Sequence, residues 1–253
     1  MIDAHAHLLH ELLNSQQIIA DMQKDNLEYI INVGTNIADC RQGILLAQNN
    51  SNIYTTVGLH PEYVKDVTKD HIMQIDNLAL NKKVVAIGEI GLDYHYGADE
   101  EEKQKQKWLF LEQLKIANKH KLPVVIHCRD AVEDLLQILN NNKNLLNNKF
   151  CMHCYSEGAQ YVRDFINLGA YFSFTGNITY KKTNRDFLNV LPQDKIMIET
   201  DCPYLSPEPV RGKINVPKNV VYTAQKIADQ LQMSITDFLK ITTNNAKRFF
   251  NIH

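Results

Sequence analysis

The chain has 253 residues, of which 44% are hydrophobic and 22% are charged, a composition that excludes a disordered or fibrous protein. Its 27 basic and 29 acidic residues give a net charge of −2, so no global positive field attracts a nucleic acid or an anionic membrane, and any phosphate binding must be local. Five cysteines in a chain of this length do not match a disulfide framework, and neither a secretory signal nor an apolar run of about 18 residues is visible, so we predict a protein of the reducing cytoplasm with no membrane association.

Short segments rich in β-branched residues alternate with longer segments of helical periodicity along the whole chain, which is typical of βα units. Several of the strands are almost wholly apolar, as parallel strands are when helices cover one face and a packed interior the other. Eight units without a flexible linker favour one α/β domain over residues 1–253, a TIM (β/α)8 barrel, with an open eight-stranded sheet as the alternative. The predicted strands are Ile2–Leu8, Glu28–Val33, Ile53–Val57, Val84–Ile90, Pro123–His127, Phe150–His153, Ala170–Phe174 and Lys195–Glu199.

One helix has a clear apolar periodicity, and two stretches rich in asparagine interrupt the pattern. Glu100–His120 predicts an amphipathic helix with spacings close to i, i+3, i+4 and i+7. The asparagine-rich stretches 140–144 and 147–148 are short and flanked by leucines, which indicates a loop and not a domain boundary. The apolar face of the helix is predicted to contain Trp108, Leu111, Leu114, Ile116 and Ala117.

Cys151 and Cys154 form a C-x-x-C motif, which is a weak signal here. A structural zinc site needs a second pair of ligands, but the other three cysteines are dispersed along the chain. A redox motif should open a helix after a strand. We therefore predict that Cys151 and Cys154 do not form a functional dithiol.

A TIM barrel carries its active site at the C-terminal ends of its strands, and six predicted strands deliver a possible metal ligand or acid-base group there. His5 and His7 lie two residues apart on a strand, so both imidazoles can reach one ion, although two hydrogen-bonded histidines would also fit. Glu89 ends an apolar run between two glycines, and a buried carboxylate needs a cation or several donors. A bridge between two metals would satisfy it, as would a salt bridge with Arg129 or a lysine.

The later strands add further candidates at the same rim. His127 and His153 each end a strand, and each taken singly could be a core histidine. Glu199 and Asp201 share a direction on a period-two count; we favour Asp201 as a ligand and Glu199 as a residue that supports the ligands or contacts the substrate. Histidines and carboxylates from strands one, four, five, six and eight would meet at one mouth if the barrel is right.

Six motifs follow one another along the chain: Asp3–Leu8 (DAHAHL), Gly58–Pro61 (GLHP), Gly88–Tyr94 (GEIGLDY), Ile126–Ala131 (IHCRDA), Met152–Ser156 (MHCYS) and Glu199–Leu205 (ETDCPYL). Their sequences and their order resemble those of the TatD family of metal-dependent deoxyribonucleases. The resemblance continues to Asn244–Ala246 and so covers essentially the whole chain. Leu9 stands where the family often has Asp or Asn, and Tyr155 where Phe is common, but neither is a proposed ligand.

The resemblance implies a barrel of the amidohydrolase superfamily with two divalent metal ions at its mouth. Histidines suit zinc or manganese, whereas magnesium prefers oxygen ligands, so the ion stays open among Mg, Mn and Zn. We expect a metal-activated water to attack phosphorus, with Asp201 as proton acceptor and Glu199 and Glu89 as further catalytic residues. Carried over residue by residue, the metal ligands are His5, His7 and Asp201 for one ion, His127 and His153 for the other, and Glu89 as the bridge.

The resemblance further implies a deoxyribonuclease of the 3′–5′ exonuclease type. The near-neutral charge predicts contact with a few nucleotides of single-stranded DNA or a 3′ end, and no protein partner is inferred. A metal-dependent esterase or amidase, such as an aminoacyl-tRNA deacylase, is the alternative enzyme, and a catalytically silent metal-binding barrel is the alternative without activity. The predicted phosphate contacts are His60, His95, Arg129 and Arg211, with Lys181, Lys182 and Lys213 beside them.

Overall fold

The computed structural model describes residues 1–146 and 149–253, and it contains an eight-stranded sheet in which neighbouring strands follow chain order and pair in parallel. Two backbone hydrogen bonds join the end of the first strand to the residues that follow the last strand, from the N–H of His7 to the carbonyl of Cys202 (3.0 Å) and from the N–H of Asp201 to the carbonyl of His5 (2.9 Å). The predicted TIM barrel is therefore confirmed. The strands are β1 Ile2–Ala6, β2 Tyr29–Asn32, β3 Ile53–Val57, β4 Val84–Asp93, β5 Val124–Arg129, β6 Phe150–Met152, β7 Tyr171–Phe174 and β8 Ile196–Ile198.

The helices of the described residues cover the outside of the barrel, and several begin at a side-chain cap. Asn36, Asp99 and Ser234 each accept a hydrogen bond from a backbone N–H three residues later, which satisfies one free donor of the first turn. Among the described residues no helix is long and apolar enough to cross a membrane. The helices are α1 Ser15–Asp21, α2 Ile37–Asn49, α3 Lys69–Leu78, α4 Glu100–His120, α5 Val132–Asn141, α6 Ala159–Asn167, α7 Val220–Gln230 and α8 Ile235–Phe250.

The barrel interior and the layer under the helices form two apolar clusters. The larger one packs the outer faces of the strands against the helices. In the smaller one, inward-facing residues such as Ile2 and Val125 pack with Phe249, Phe250 and Ile252 from the end of the chain. The C-terminal segment thus packs against one end of the barrel interior, and the polar strand ends occupy the other.

The predicted bounds of α4 are confirmed, but its predicted apolar face is partly wrong. Trp108 is 36% exposed, whereas Gln106 and Gln113 are buried. Gln113 accepts from the N–H of Leu59 (2.7 Å) and donates to the carbonyl of the same residue (3.0 Å). Gln106 makes the same pair of bonds with Asp93, both at 2.9 Å. The two glutamines lie seven residues apart on one helix face and hold the chain after β3 and at the end of β4.

The asparagine-rich region is partly helical. Residues 140 and 141 complete α5, and a short 3₁₀ segment follows at Lys143–Leu145, so the predicted loop begins later than expected. Residues 147–148 lie outside the described residues.

Replacing Gln113 by leucine should destabilise the protein by about 2–4 kcal/mol, because the buried N–H and carbonyl of Leu59 would both lose their partner. The measurement is the free energy of unfolding in urea. Gln104→Leu, an exposed position on the same helix, is the control and should cost much less. Equal losses in the two variants would show that the buried amide contributes nothing specific.

Candidate metal centre

A cavity of about 840 Å³ opens at the C-terminal ends of the strands. Its floor is made of side chains from β4 and β5 and from the residues that follow β1, β3, β6 and β8. Its volume lies within the range of small-molecule sites, roughly 300–1,000 Å³. The predicted site residues that line it are His7, His60, Glu89, His127, Arg129, His153 and Asp201.

Glu89 lies at the centre of this floor, 4% exposed and surrounded by imidazoles. The strand reaches this position because residue 91 is a glycine: a Cβ there would lie 1.9 Å from the carbonyl oxygen of His127. No other residue type could bring β4 so close to β5. The carboxylate-to-nitrogen distances are 2.8 Å to His127 Nδ1, 2.9 Å to His153 Nε2, 3.5 Å to His60 Nε2, 3.4 Å to His5 Nε2 and 3.9 Å to His7 Nε2.

The charges at the floor depend on one another. Burial alone would raise the pKa of Glu89, but the imidazoles of His153, His60 and His5 hold that pKa well below the usual carboxyl value. Burial would likewise lower the pKa of His153, yet the carboxylates of Glu89 and Glu199 raise it well above the usual imidazole value. A negative carboxylate among several nitrogen ligands is the charge pattern that a bound cation would neutralise.

His5, His7 and Asp201 form the first group that could hold a metal ion, with ligand atoms within 4.8 Å of one another. The Oδ1 of Asp201 lies 3.1 Å from Nε2 of His7 and 3.5 Å from Nε2 of His5. Both ring nitrogens of His5 are buried without a hydrogen-bond partner among the described residues. Because such an imidazole is costly to bury, these residues fit a divalent cation.

A second group that could hold a metal ion contains His60, Glu89 and His127, with His153 beside Glu89. The Nε2 of His127 lies 2.9 Å from Oδ2 of Asp93, so its Nδ1 faces Glu89. Such an outer carboxylate fixes the ring and its tautomer. His60, predicted as a phosphate contact, is thus placed among the candidate ligands. Asp93 was not a predicted site residue, although it lies within the motif Gly88–Tyr94.

Glu199 is 1% exposed and is not one of the described residues that line the cavity. Its Oε1 accepts from the N–H of Cys154 (2.7 Å) and lies 3.2 Å from Nδ1 of His153, and its Oε2 accepts from the hydroxyl of Ser173 (2.5 Å). Glu199 also forms a possible metal group with His5 and His153. Since both of its oxygens already have partners, its contacts favour orienting His153 over touching a substrate.

A buried carboxyl group that was not predicted supports the turn at Asp201. Asp3 accepts hydrogen bonds from the N–H (2.9 Å) and the hydroxyl (2.5 Å) of Thr200. Burial raises the pKa of Asp3 to about 8. These bonds fix the backbone immediately before Asp201, where φ is +56°. The sequence signal for this role was an aspartate two residues before His5, on the strand that leads to the predicted ligands His5 and His7.

The remaining predicted phosphate contacts are divided between the cavity and the outer surface. Arg129 lines the cavity, and its guanidinium carbon lies 5.4 Å from the ring centroid of Tyr96. His95 is exposed beside Asp130 (2.7 Å), and Arg211 pairs with Glu208 (3.1 Å). Neither is one of the described residues that line the cavity, and Lys181, Lys182 and Lys213 also lie outside its wall.

The C-x-x-C cysteines lie in different surroundings. Cys151 is buried in the barrel, with its sulfur 3.5 Å from the hydroxyl of Ser173. Cys154 lines the cavity, and its sulfur lies 3.3 Å from Oγ1 of Thr175. Both are free thiols, and burial raises the pKa of Cys154 to about 12, so this thiol stays protonated at neutral pH.

Comparisons with known proteins agree with this arrangement. A metal-dependent hydrolase of Bacillus subtilis, YabD, is 36% identical over 257 residues, with both chains covered completely. YcfH of Escherichia coli K12, also described as a metal-dependent hydrolase, is 30% identical, with 100% of this chain and 96% of the relative covered. The crystal structure of YjjV, a TatD homologue from E. coli K12, superposes with a TM-score of 0.92 at 27% identity, over 100% of this chain and 98% of the other. The family model described as "TatD related DNase" matches residues 2–251. The chain therefore belongs to the TatD family of metal-dependent hydrolases.

Proposed function

We propose that this chain is a deoxyribonuclease that hydrolyses phosphodiester bonds near an end of single-stranded DNA, with 3′–5′ exonuclease action and two divalent ions (Mg, Mn or Zn). The observation that carries the proposal is the position of Glu89, a buried carboxylate among histidines at the floor of an open cavity. The name of the matching family model, "TatD related DNase", supports DNA as the substrate.

The chain offers two sets of ligands that share Glu89. His5, His7 and Asp201 would hold one ion, and His127 and His153 the other, with His60 close enough to join the second set. Divalent ions bound there would lower the pKa of a water molecule and neutralise charge on the phosphate.

The protein's own groups then have distinct tasks. Burial would raise the pKa of Asp201, but its hydrogen bond with His7 lowers it, so its carboxylate is ionised at neutral pH and can accept a proton from the attacking water. With a metal ion bound, Glu199 would accept a hydrogen bond from Nδ1 of His153, and Asp93 would accept one from Nε2 of His127. The opposite nitrogen of each ring, which faces Glu89, would then offer its lone pair to the ion. Arg129, which lines the cavity, would bind a phosphate oxygen.

The cavity wall predicts weak salt dependence. Among the described residues that line it, Arg129 is the single lysine or arginine. Because each phosphate contact adds about 0.7 to the slope for a single strand, one arginine contact predicts a slope of about −0.7 in the plot of log affinity against log salt. Fluorescence anisotropy with labelled hexathymidylate measures this slope. A slope of about −4 or steeper would show a long electrostatic footprint and contradict the expectation.

Parallel assays with the metal-reconstituted protein test the proposed function. Single-stranded DNA, duplex DNA, a p-nitrophenyl carboxylate ester and an aminoacyl ester are offered at equal concentration. Metal-dependent cleavage of single-stranded DNA, faster than hydrolysis of either ester, is the expected result. Rapid hydrolysis of an ester without cleavage of DNA would overturn it in favour of the esterase alternative.

A further inference from the structure

We propose that three tyrosines at the mouth of the cavity bind the nucleobases of single-stranded DNA by stacking, on either side of the phosphate that is cleaved. We call Tyr63, Tyr96 and Tyr204 the tyrosine rim. The inference rests on the proposed function and adds to it the feature of the substrate that the protein recognises. It assigns a base-binding role to residues outside the metal centre.

The three tyrosines of the rim are exposed and line the cavity that contains Glu89. Their exposed fractions are 41% for Tyr63, 82% for Tyr96 and 51% for Tyr204. They come from three separate segments, which follow β3, β4 and β8. Large aromatic side chains are usually buried, and several exposed around one opening indicate a binding surface.

Two rings of the rim are held beside groups of the site. The ring centroid of Tyr204 lies 6.0 Å from that of His7 and 5.6 Å from that of His10, at interplanar angles of 73° and 85°. Tyr96 lies beside Arg129, with 5.4 Å from the guanidinium carbon to its ring centroid. A base stacked on Tyr204 would therefore lie next to His7, a candidate metal ligand. A base stacked on Tyr96 would lie next to Arg129, the proposed phosphate contact.

The charge of the cavity wall favours a source of affinity other than attraction between charges. Outside the histidines and any bound metal ions, one arginine faces five carboxylates in the described lining, so the rest of the wall adds little attraction for a phosphate backbone. Stacking on aromatic rings supplies affinity that does not depend on charge. It also favours single strands, because the bases of a duplex are already stacked and paired. The five lining carboxylates are Asp39, Glu62, Glu89, Asp93 and Asp201.

The test compares Tyr63, Tyr96 and Tyr204 each changed to leucine, which removes the ring, and to phenylalanine, which keeps it. The substrates are hexathymidylate and the same hexamer with two abasic sugars at its 3′ end, both cleaved with Mn²⁺. The quantity is the ratio of kcat/KM for the full hexamer to kcat/KM for the abasic one. Tyr222→Leu is the control, because Tyr222 is 37% exposed on α7 and is not one of the cavity-lining residues described.

Each leucine variant of the rim should lower this ratio by about tenfold, whereas the phenylalanine and Tyr222→Leu variants should keep it. Unchanged ratios in all leucine variants would contradict the proposed role of the tyrosine rim. Equal cleavage of the two hexamers by the wild type would contradict it as well. Tighter binding of a tyrosine-rich peptide than of hexathymidylate would also overturn it.

Equilibrium binding of labelled hexathymidylate with Ca²⁺ at low ionic strength separates this inference from the proposed function. If the leucine variants of the tyrosine rim bind more weakly and the other variants do not, base stacking by the rim is supported independently of turnover. If the wild type cleaves neither hexamer with Mg²⁺, Mn²⁺ or Zn²⁺, the proposed nuclease function fails. The binding experiment still shows whether the tyrosine rim binds nucleobases.

Discussion

Replacing Glu89 by glutamine is expected to lower metal-dependent hydrolysis by more than about a hundredfold. Changes to residues that only support metal ligands already cost 10–100-fold, and Glu89 contacts both candidate metal groups directly. Glutamine keeps the size of the side chain but removes the negative charge that the imidazoles surround. The measurements are kcat/KM at saturating Mn²⁺ and metal stoichiometry by calorimetry, and both should fall. We expect the same two losses in the Glu89→Ala variant.

Glu101→Gln is the matched control, because it makes the same chemical change on the exposed face of α4. It should retain wild-type activity and metal stoichiometry. Circular dichroism shows whether the Glu89 variants keep the barrel. Full activity of a folded Glu89→Gln protein would rule out this carboxylate as a metal ligand and with it the site described above.

Asp201→Asn should lower kcat by about 10²–10⁴-fold at saturating metal, the range attributed to general acid-base catalysis. Asparagine can still offer an oxygen to a metal ion, but it cannot accept a proton at neutral pH. We therefore expect the loss in kcat to exceed the loss in metal affinity. The contrast with Glu89→Gln, where binding itself should fail, separates the two roles.

Asp39→Asn is the control for this experiment, since Asp39 also lines the cavity but bonds to the backbone and hydroxyl of Thr35. It should keep kcat within about threefold of the wild type, because it neither ligates metal nor moves a proton in this account. The pH dependence of kcat is a second measurement of the role of Asp201 as proton acceptor. If Asp201→Asn loses only metal affinity and regains full kcat when saturated, its role as proton acceptor is excluded.

The strand order and the central residues of the site could be predicted from the sequence because both follow from strong local patterns. Apolar strands separated by helical segments indicate parallel pairing. Ligands at strand ends must then meet at one rim, as Glu89, His127 and His153 do. His5 and His7 share a face because side chains two apart on a strand do so.

Other features depend on contacts between distant segments. Gln113 looks like a surface residue in the pattern of α4, and only the packed structure shows it bonded to Leu59. Arg211 lies close to the motifs along the chain, but in the fold it pairs with Glu208 and stacks on Tyr180. The tyrosine rim comes from three segments far apart in sequence, so no local pattern could reveal it.

The most direct test of a metal-dependent nuclease uses metal-stripped protein and 5′-labelled single-stranded DNA, with Mg²⁺, Mn²⁺ or Zn²⁺ added back and Glu89→Ala alongside. The account predicts no cleavage without metal, a ladder of progressively shorter 5′-labelled products with at least one of the ions, and no ladder in the variant. Uncut DNA with every ion, from wild-type protein that has taken up stoichiometric metal, would contradict it.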